Sequence, residues 1–162
     1  MNLRLLKIVF VDFVALLCII YAIHNVVNLE ACFQAFAYVF SQVDHVVYPG
    51  SIVPVIQNSA LIWLALVIVI ALEFLAGMLA AKGAWDMWSA RNAAAGEFNS
   101  AKKYALLGCS VGIVVWFGLF GVFGGALFQM LQTEIGAGSM DNAFQFFVSC
   151  ALIFVLLNSP DQ

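Results

Sequence analysis

Charge is what this sequence has least of. Only 9% of its 162 residues are charged, against roughly 25% in an ordinary soluble domain, so the chain cannot cover a water-facing surface. Catalytic signatures are missing too. No nucleophile, base and acid arrangement, phosphate-cradling glycine loop or zinc-ligand spacing occurs, so neither an enzymatic activity nor a metal site is supported. The four cysteines, Cys18, Cys32, Cys109 and Cys150, show no paired spacing for a metal or redox centre. Three of them fall inside apolar runs, which leaves Cys32 alone to face the outer compartment, and no structural disulfide is expected. Low-complexity linkers, clear internal repeats and a separate soluble domain are absent as well.

What is present is hydrophobicity. Apolar residues make up 65% of the chain and the mean hydropathy is +1.05. Four runs, roughly Ile8 to Val27, Ser59 to Ala81, Tyr104 to Leu127 and Ser139 to Leu157, approach the about 20 residues that cross a hydrocarbon core of ~30 Å. The first follows Arg4 and Lys7 as a secretory signal would. It is long, however, and lacks a small-residue cleavage site, so it is read as a retained anchor. The fold class that follows is an all-α membrane protein forming a single four-helix transmembrane domain.

All six basic residues, Arg4, Lys7, Lys82, Arg91, Lys102 and Lys103, lie in the N-terminal segment or between the second and third spans. Cytoplasmic segments retain Lys and Arg, which places both termini and the middle connection inside. Glu30, Asp44, Glu134 and Asp141 then lie outside. Trp85 and Trp88 fit an inner aromatic belt, and Trp63 and Tyr48 an outer one. With the basic residues facing inner headgroups, no nucleic-acid partner is expected.

Between the first two spans, Phe33, Phe36, Ala37, Phe40, Val43 and Val47 recur at helical spacing, with Glu30, Gln34, Ser41, Gln42 and His45 on the other side. This predicts an amphipathic helix over Cys32 to Val47, ending before the turn at Tyr48-Pro49-Gly50. It lies on the outer membrane surface or packs as a lid over the bundle; the pattern allows both.

Inside the spans the polar candidates are few. Glu73 shares a helical face with Ala76, Gly77 and Ala80, small residues that let another helix come close, so it points at protein. A carboxylate at that depth is costly and marks either a functional site or an interhelical hydrogen bond. The first span carries Tyr21, His24, Asn25 and Asn28 in one arc near its outer end, and Asp12 on the opposite side near its inner end, within reach of water or Lys7. Interhelical hydrogen bonding leads for the His24 arc, ahead of a quinone headgroup contact. Haem ligation ranks last, because His45 is the only other histidine. The third span has glycines on two faces, Gly108 and Gly112 on one and Gly118, Gly121 and Gly125 on the other, so it can pack closely against two neighbours. Trp116, near its middle, is read as filling space.

Several stretches occur together in order: Asn25-Val26-Val27-Asn28, Val43-Asp44-His45-Val46, Glu73, Gly124-Gly125 leading to Phe128-Gln129-Met130-Leu131-Gln132, Ala143-Phe144 and Pro160-Asp161. Over nearly its whole length the chain resembles a family of predicted small bacterial integral membrane proteins known only as a domain of unknown function. The resemblance implies four helices in a bacterial inner membrane, and it transfers no activity and no site residues. After the glycine pair this chain has Ala126-Leu127, where the family pattern carries an acidic and an aromatic residue.

The function expected from these features is that of a non-catalytic accessory subunit of a larger inner-membrane complex, a respiratory one being a candidate. No cofactor is expected beyond bound lipid, and the expected partners are membrane lipids and other integral membrane subunits. The competing readings are a small homo-oligomeric transporter or channel built on Glu73 and a quinone-contacting protein. The topology is testable directly. A cysteine introduced at Gly138 should be labelled from outside the cell and one at Ser89 spared; the reverse pattern would end the orientation argument.

Overall fold

The computed structural model describes residues 3–161, and among them the regular structure is entirely helical. Four helices are long and apolar enough to cross a membrane. Helix α1 (Leu3–Val27) is followed by α2 (Leu29–Ser41) and then by the longest helix, α3 (Ser59–Ser89). The third span is built from α4 (Ala95–Ala101), α5 (Lys103–Ile113) and a wider π-helical segment, Val114–Leu127. A single 3-10 turn, Met130–Gln132, leads into α6 (Glu134–Asn158). The spans run alternately up and down, so all Lys and Arg gather at one end of the bundle, the basic end. Glu30, Asp44, Glu134 and Asp141 mark the other, the acidic end.

The helices extend beyond the apolar runs. At 1.5 Å per residue, the 31 residues of α3 reach roughly 46 Å. Lys82, Trp85, Asp86 and Trp88 therefore stand on a helical extension rather than in a loop. There Lys82 pairs with Asp86 at 2.8 Å and lies over the Tyr104 ring. Side-chain caps start two of the spans: the Asn58 carboxamide accepts from the Ala60 N–H, and the Thr133 hydroxyl from the Gly136 N–H.

Helix α2 begins earlier and ends sooner than its periodicity predicts. It starts at Leu29, directly after α1, and stops at Ser41, because Gln42 turns into the left-handed region at φ 53°. Val43 and Val47, expected on its apolar face, are exposed in the connection that follows. The apolar side of α2 packs on the bundle, with Phe33 stacked on Trp63 at 4.9 Å and Phe40 tilted on Phe128 at 4.6 Å, while Glu30 and Gln34 are exposed. Gln132 ties the rest of this connection down. Its carboxamide oxygen accepts from the N–H groups of Val47 and Tyr48, and its NH2 donates to the Tyr48 carbonyl. Under α2 lies an apolar cavity of about 260 Å³ between α3, the π segment and the start of α6.

The basic end is closed by charge. The Lys7 ammonium donates to the Ser159 carbonyl and to Asp161, and Lys102 donates to the same two groups and to the Asn99 carboxamide oxygen. Both lysine side chains are buried, and that of Asp161 is 5% exposed. Lys7 is thus committed to the C-terminal segment, not to Asp12, which stands exposed on α1. Arg4 reaches across to the carbonyls of Arg91 and Ala93, with its guanidinium over the buried Phe98 ring.

Burial raises the Asp161 pKa, but the hydrogen bonds and charges of Lys102 and Lys7 outweigh it and hold the carboxyl below its usual 3.8. The contribution of this carboxylate is therefore complete above 3.8 and is lost as pH falls through the folded-state value. Asp161→Ala should cost about 3–5 kcal/mol, because it strands two buried ammonium groups. The acid-dependent part of the wild-type thermal midpoint should vanish in this variant. Identical acid sensitivity in both proteins would show that Asp161 does not carry it.

Candidate functional site in the bundle core

The polar site of the core is made by three elements. Glu73, 1% exposed on α3, accepts a hydrogen bond from the Asn25 carboxamide of α1 at 2.8 Å. The Cys32 thiol of α2 lies 3.5 Å from the Asn25 carboxamide oxygen. Asn25 thus faces both ways, giving its NH2 to the carboxylate and its oxygen to the thiol, so that α1, α2 and α3 meet around one side chain. In a bilayer such groups have no water to fall back on.

Small residues allow this approach. Ala76, Gly77 and Ala80 are buried on the same side of α3 as Glu73. Gly77 is pressed against α1, where an added Cβ would lie 2.5 Å from Ile19 Cγ1 and 3.2 Å from the Ala15 carbonyl oxygen. Ala76 and Ala80 meet Gly108 of α5, where a Cβ would come within 2.6 Å of the Ala80 nitrogen. The small faces of α3 and α5 therefore fit into each other.

The other sequence candidates are dispersed. His24 and Asn28 are exposed, and the Asn28 side chain only closes the end of α1 by donating to the His24 carbonyl at 2.7 Å. Tyr21 packs edge-on against Trp116 and Phe146. The arc on α1 thus divides, and Asn25 alone enters the core site. His45 is buried in the connection after α2 and does not accompany His24 on α1. No group of three or more metal-ligating side chains forms among the described residues.

The glycine faces of the third span need one correction. Gly112 meets Cys150 of α6, as an internal residue should. Gly125, however, is buried against Met140 of α6 and does not share the surroundings of Gly118 and Gly121, where an added Cβ would meet only atoms of its own helix. The reason is the π register. Bonds of the i to i+5 kind, such as Phe128 N–H to the Phe123 carbonyl, put more residues in each turn than the 3.6 of an α-helix. Faces reckoned at 100° per residue therefore drift across this segment.

Three thiols that no spacing connects also converge. Cys18, Cys109 and Cys150, from α1, α5 and α6, are fully buried in one core cluster. Alone, each reads as an isolated apolar residue, and only the helix packing brings them together.

Four antiparallel apolar spans enclosing paired polar groups define an integral membrane protein. The chain belongs to the DUF2165 family, described as predicted small integral membrane proteins, whose family model matches residues 3–160. No curated protein and no solved structure matches it.

The Asn25 contact makes a measurable distinction. Glu73→Gln keeps an acceptor for the Asn25 NH2 and should be nearly tolerated, whereas Glu73→Leu strands the half-buried Asn25 amide and should cost about 1 kcal/mol or more. Thermal melts in one detergent would compare them, and equal tolerance of both changes would show the contact to be idle.

Proposed function

We propose that the chain is a non-catalytic accessory subunit that packs against a larger complex of the bacterial inner membrane and stabilises it, with the basic end in the cytoplasm. A respiratory assembly is one such complex. The observation that carries this reading is that every buried charge among the described residues is tied to another part of the same chain: Glu73 to Asn25, and Lys7 and Lys102 to Asp161. A transporter or channel built on Glu73 would need that carboxylate facing a path for its cargo, whereas here it faces a neighbouring helix. The positive-inside preference supports the orientation.

Support for the partner comes from the π segment. Gly118 and Gly121 meet no other helix, and Phe117 and Val122 beside them are exposed. In lipid, close contact through small residues is a main route to helix association. Replacing Gly118 and Gly121 together by Leu should release the chain from its complex while leaving its own helices folded. The same change at Gly108 should disrupt the bundle, where Ala80 leaves no room. Native mass spectrometry after lipid-nanodisc extraction reads the outcome, and a lone wild-type monomer would overturn the subunit reading.

A further inference from the structure

We infer that the groove between α4, α5 and α6 at the basic end is a site for one anionic phospholipid, with its phosphate on Lys103 and an acyl chain along α5. The inference goes beyond the subunit role and does not depend on it. Only the leaflet, the cytoplasmic one, rests on the orientation proposed above.

Five of the six basic residues are already engaged by the protein. Lys7 and Lys102 share Asp161, and Lys82 holds Asp86. Arg91 donates to the Trp88 carbonyl, and Arg4 to the carbonyls of Arg91 and Ala93. Lys103 makes no hydrogen bond or ion pair among the described residues; its ammonium lies 5.8 Å from the centre of the Tyr104 ring. It is exposed, and it is the one charged side chain that lines the groove. The polar side chains beside it are spent. The Asn99 carboxamide donates to the Asp161 carbonyl and accepts from Lys102, and the Ser100 and Ser110 hydroxyls donate to the carbonyls of Gly96 and Leu106. An occupant therefore meets a single free donor, which is a cation, and no carboxylate. Glu97, exposed on α4, does not line the groove.

The order of the lining residues gives the rest of the ligand. Lys103, Leu106, Leu107 and Ser110 follow one another on one face of α5, running over roughly 10 Å from the basic end toward the middle of the span. Phe154 of α6 forms the facing wall. A cation at headgroup level with a hydrocarbon strip beneath it matches the order in which a phospholipid presents phosphate and chain. A free phosphate would use the cation and leave the strip uncovered. A zwitterionic head would bring its own ammonium toward Lys103 with no carboxylate in the groove to receive it, so a net-anionic head is preferred.

The test uses the full chain, purified alone and exposed to equal amounts of dioleoyl phosphatidylglycerol and dioleoyl phosphatidylethanolamine, with bound lipid counted by native mass spectrometry. The wild type should retain one lipid, the glycerol species in preference. Lys103→Gln should lower that preference about fivefold, the usual worth of one cation at a lipid surface. Lys82→Gln removes the same charge from the same end but outside the groove, and should leave the preference unchanged. Ser110→Phe, which fills the strip, should reduce retention of both lipids with the helical circular dichroism unchanged; if that variant aggregates, Leu107→Trp is read instead. Absence of bound lipid, equal retention of the two lipids by the wild type, equal losses in the two lysine variants, undiminished retention in the folded filled variants, or displacement of the lipid by excess inorganic phosphate would each overturn the proposal. Because the chain is tested alone, failure here leaves the subunit reading intact, and loss of a partner cannot imitate it.

Discussion

A hydrocarbon solvent offers no hydrogen bonds, and the rest of this structure follows from that. The buried lysines and carboxylates find their partners within the protein, whereas the Trp116 indole nitrogen, in the third span, is buried without one. Glu73 finds Asn25, and the two buried lysines find Asp161 and the Ser159 carbonyl. These pairings are placed where they organise the chain. The first joins α1 to α3 in the core, and the second pins the C-terminal segment between α1 and the start of α5, so that the last span closes the bundle.

Close packing is the second determinant, and it is set by what is small. Gly83 of α3 is so near α5 that an added Cβ would lie 2.1 Å from the Ala105 nitrogen, and Gly108 makes the reciprocal approach to Ala80. Beyond Ile113 the third span changes character. The π segment carries Gly118, Gly121, Gly124 and Gly125, turns Gly125 inward to Met140, and leaves Gly118 and Gly121 without a neighbouring helix. Segments of this register are frequently found at functional sites, and here the widened helix also walls the cavity under α2.

Much of this was legible in the residues. The four spans follow from hydrophobic run length, and the inward turn of Glu73 follows from the small residues at 76, 77 and 80, because burial in lipid obeys helical periodicity. Two things were not legible in the same way. The end of α2 depends on one residue, Gln42, entering the left-handed region, and its side chain type only permits that conformation. The partners of Lys7 and Asn25 lie far along the chain, in the C-terminal segment and on α3, and no spacing rule links positions 7 and 161 or 25 and 73. For Asp161 the sole trace was its place in the Pro160-Asp161 pair, which carried the family resemblance without a role.

In this structure the intramembrane carboxylate holds helices together, through the Asn25 hydrogen bond. A double-mutant cycle on Asn25→Leu and Glu73→Leu, measured by unfolding in a fixed lipid-detergent mixture, isolates the pair from the effect of either change alone. The pair should show a coupling of about 1 kcal/mol, within the range of hydrogen bonds between membrane helices, with the double variant less damaged than the sum of the single ones. Strict additivity would contradict it and return Glu73 to the candidates for a role in transport.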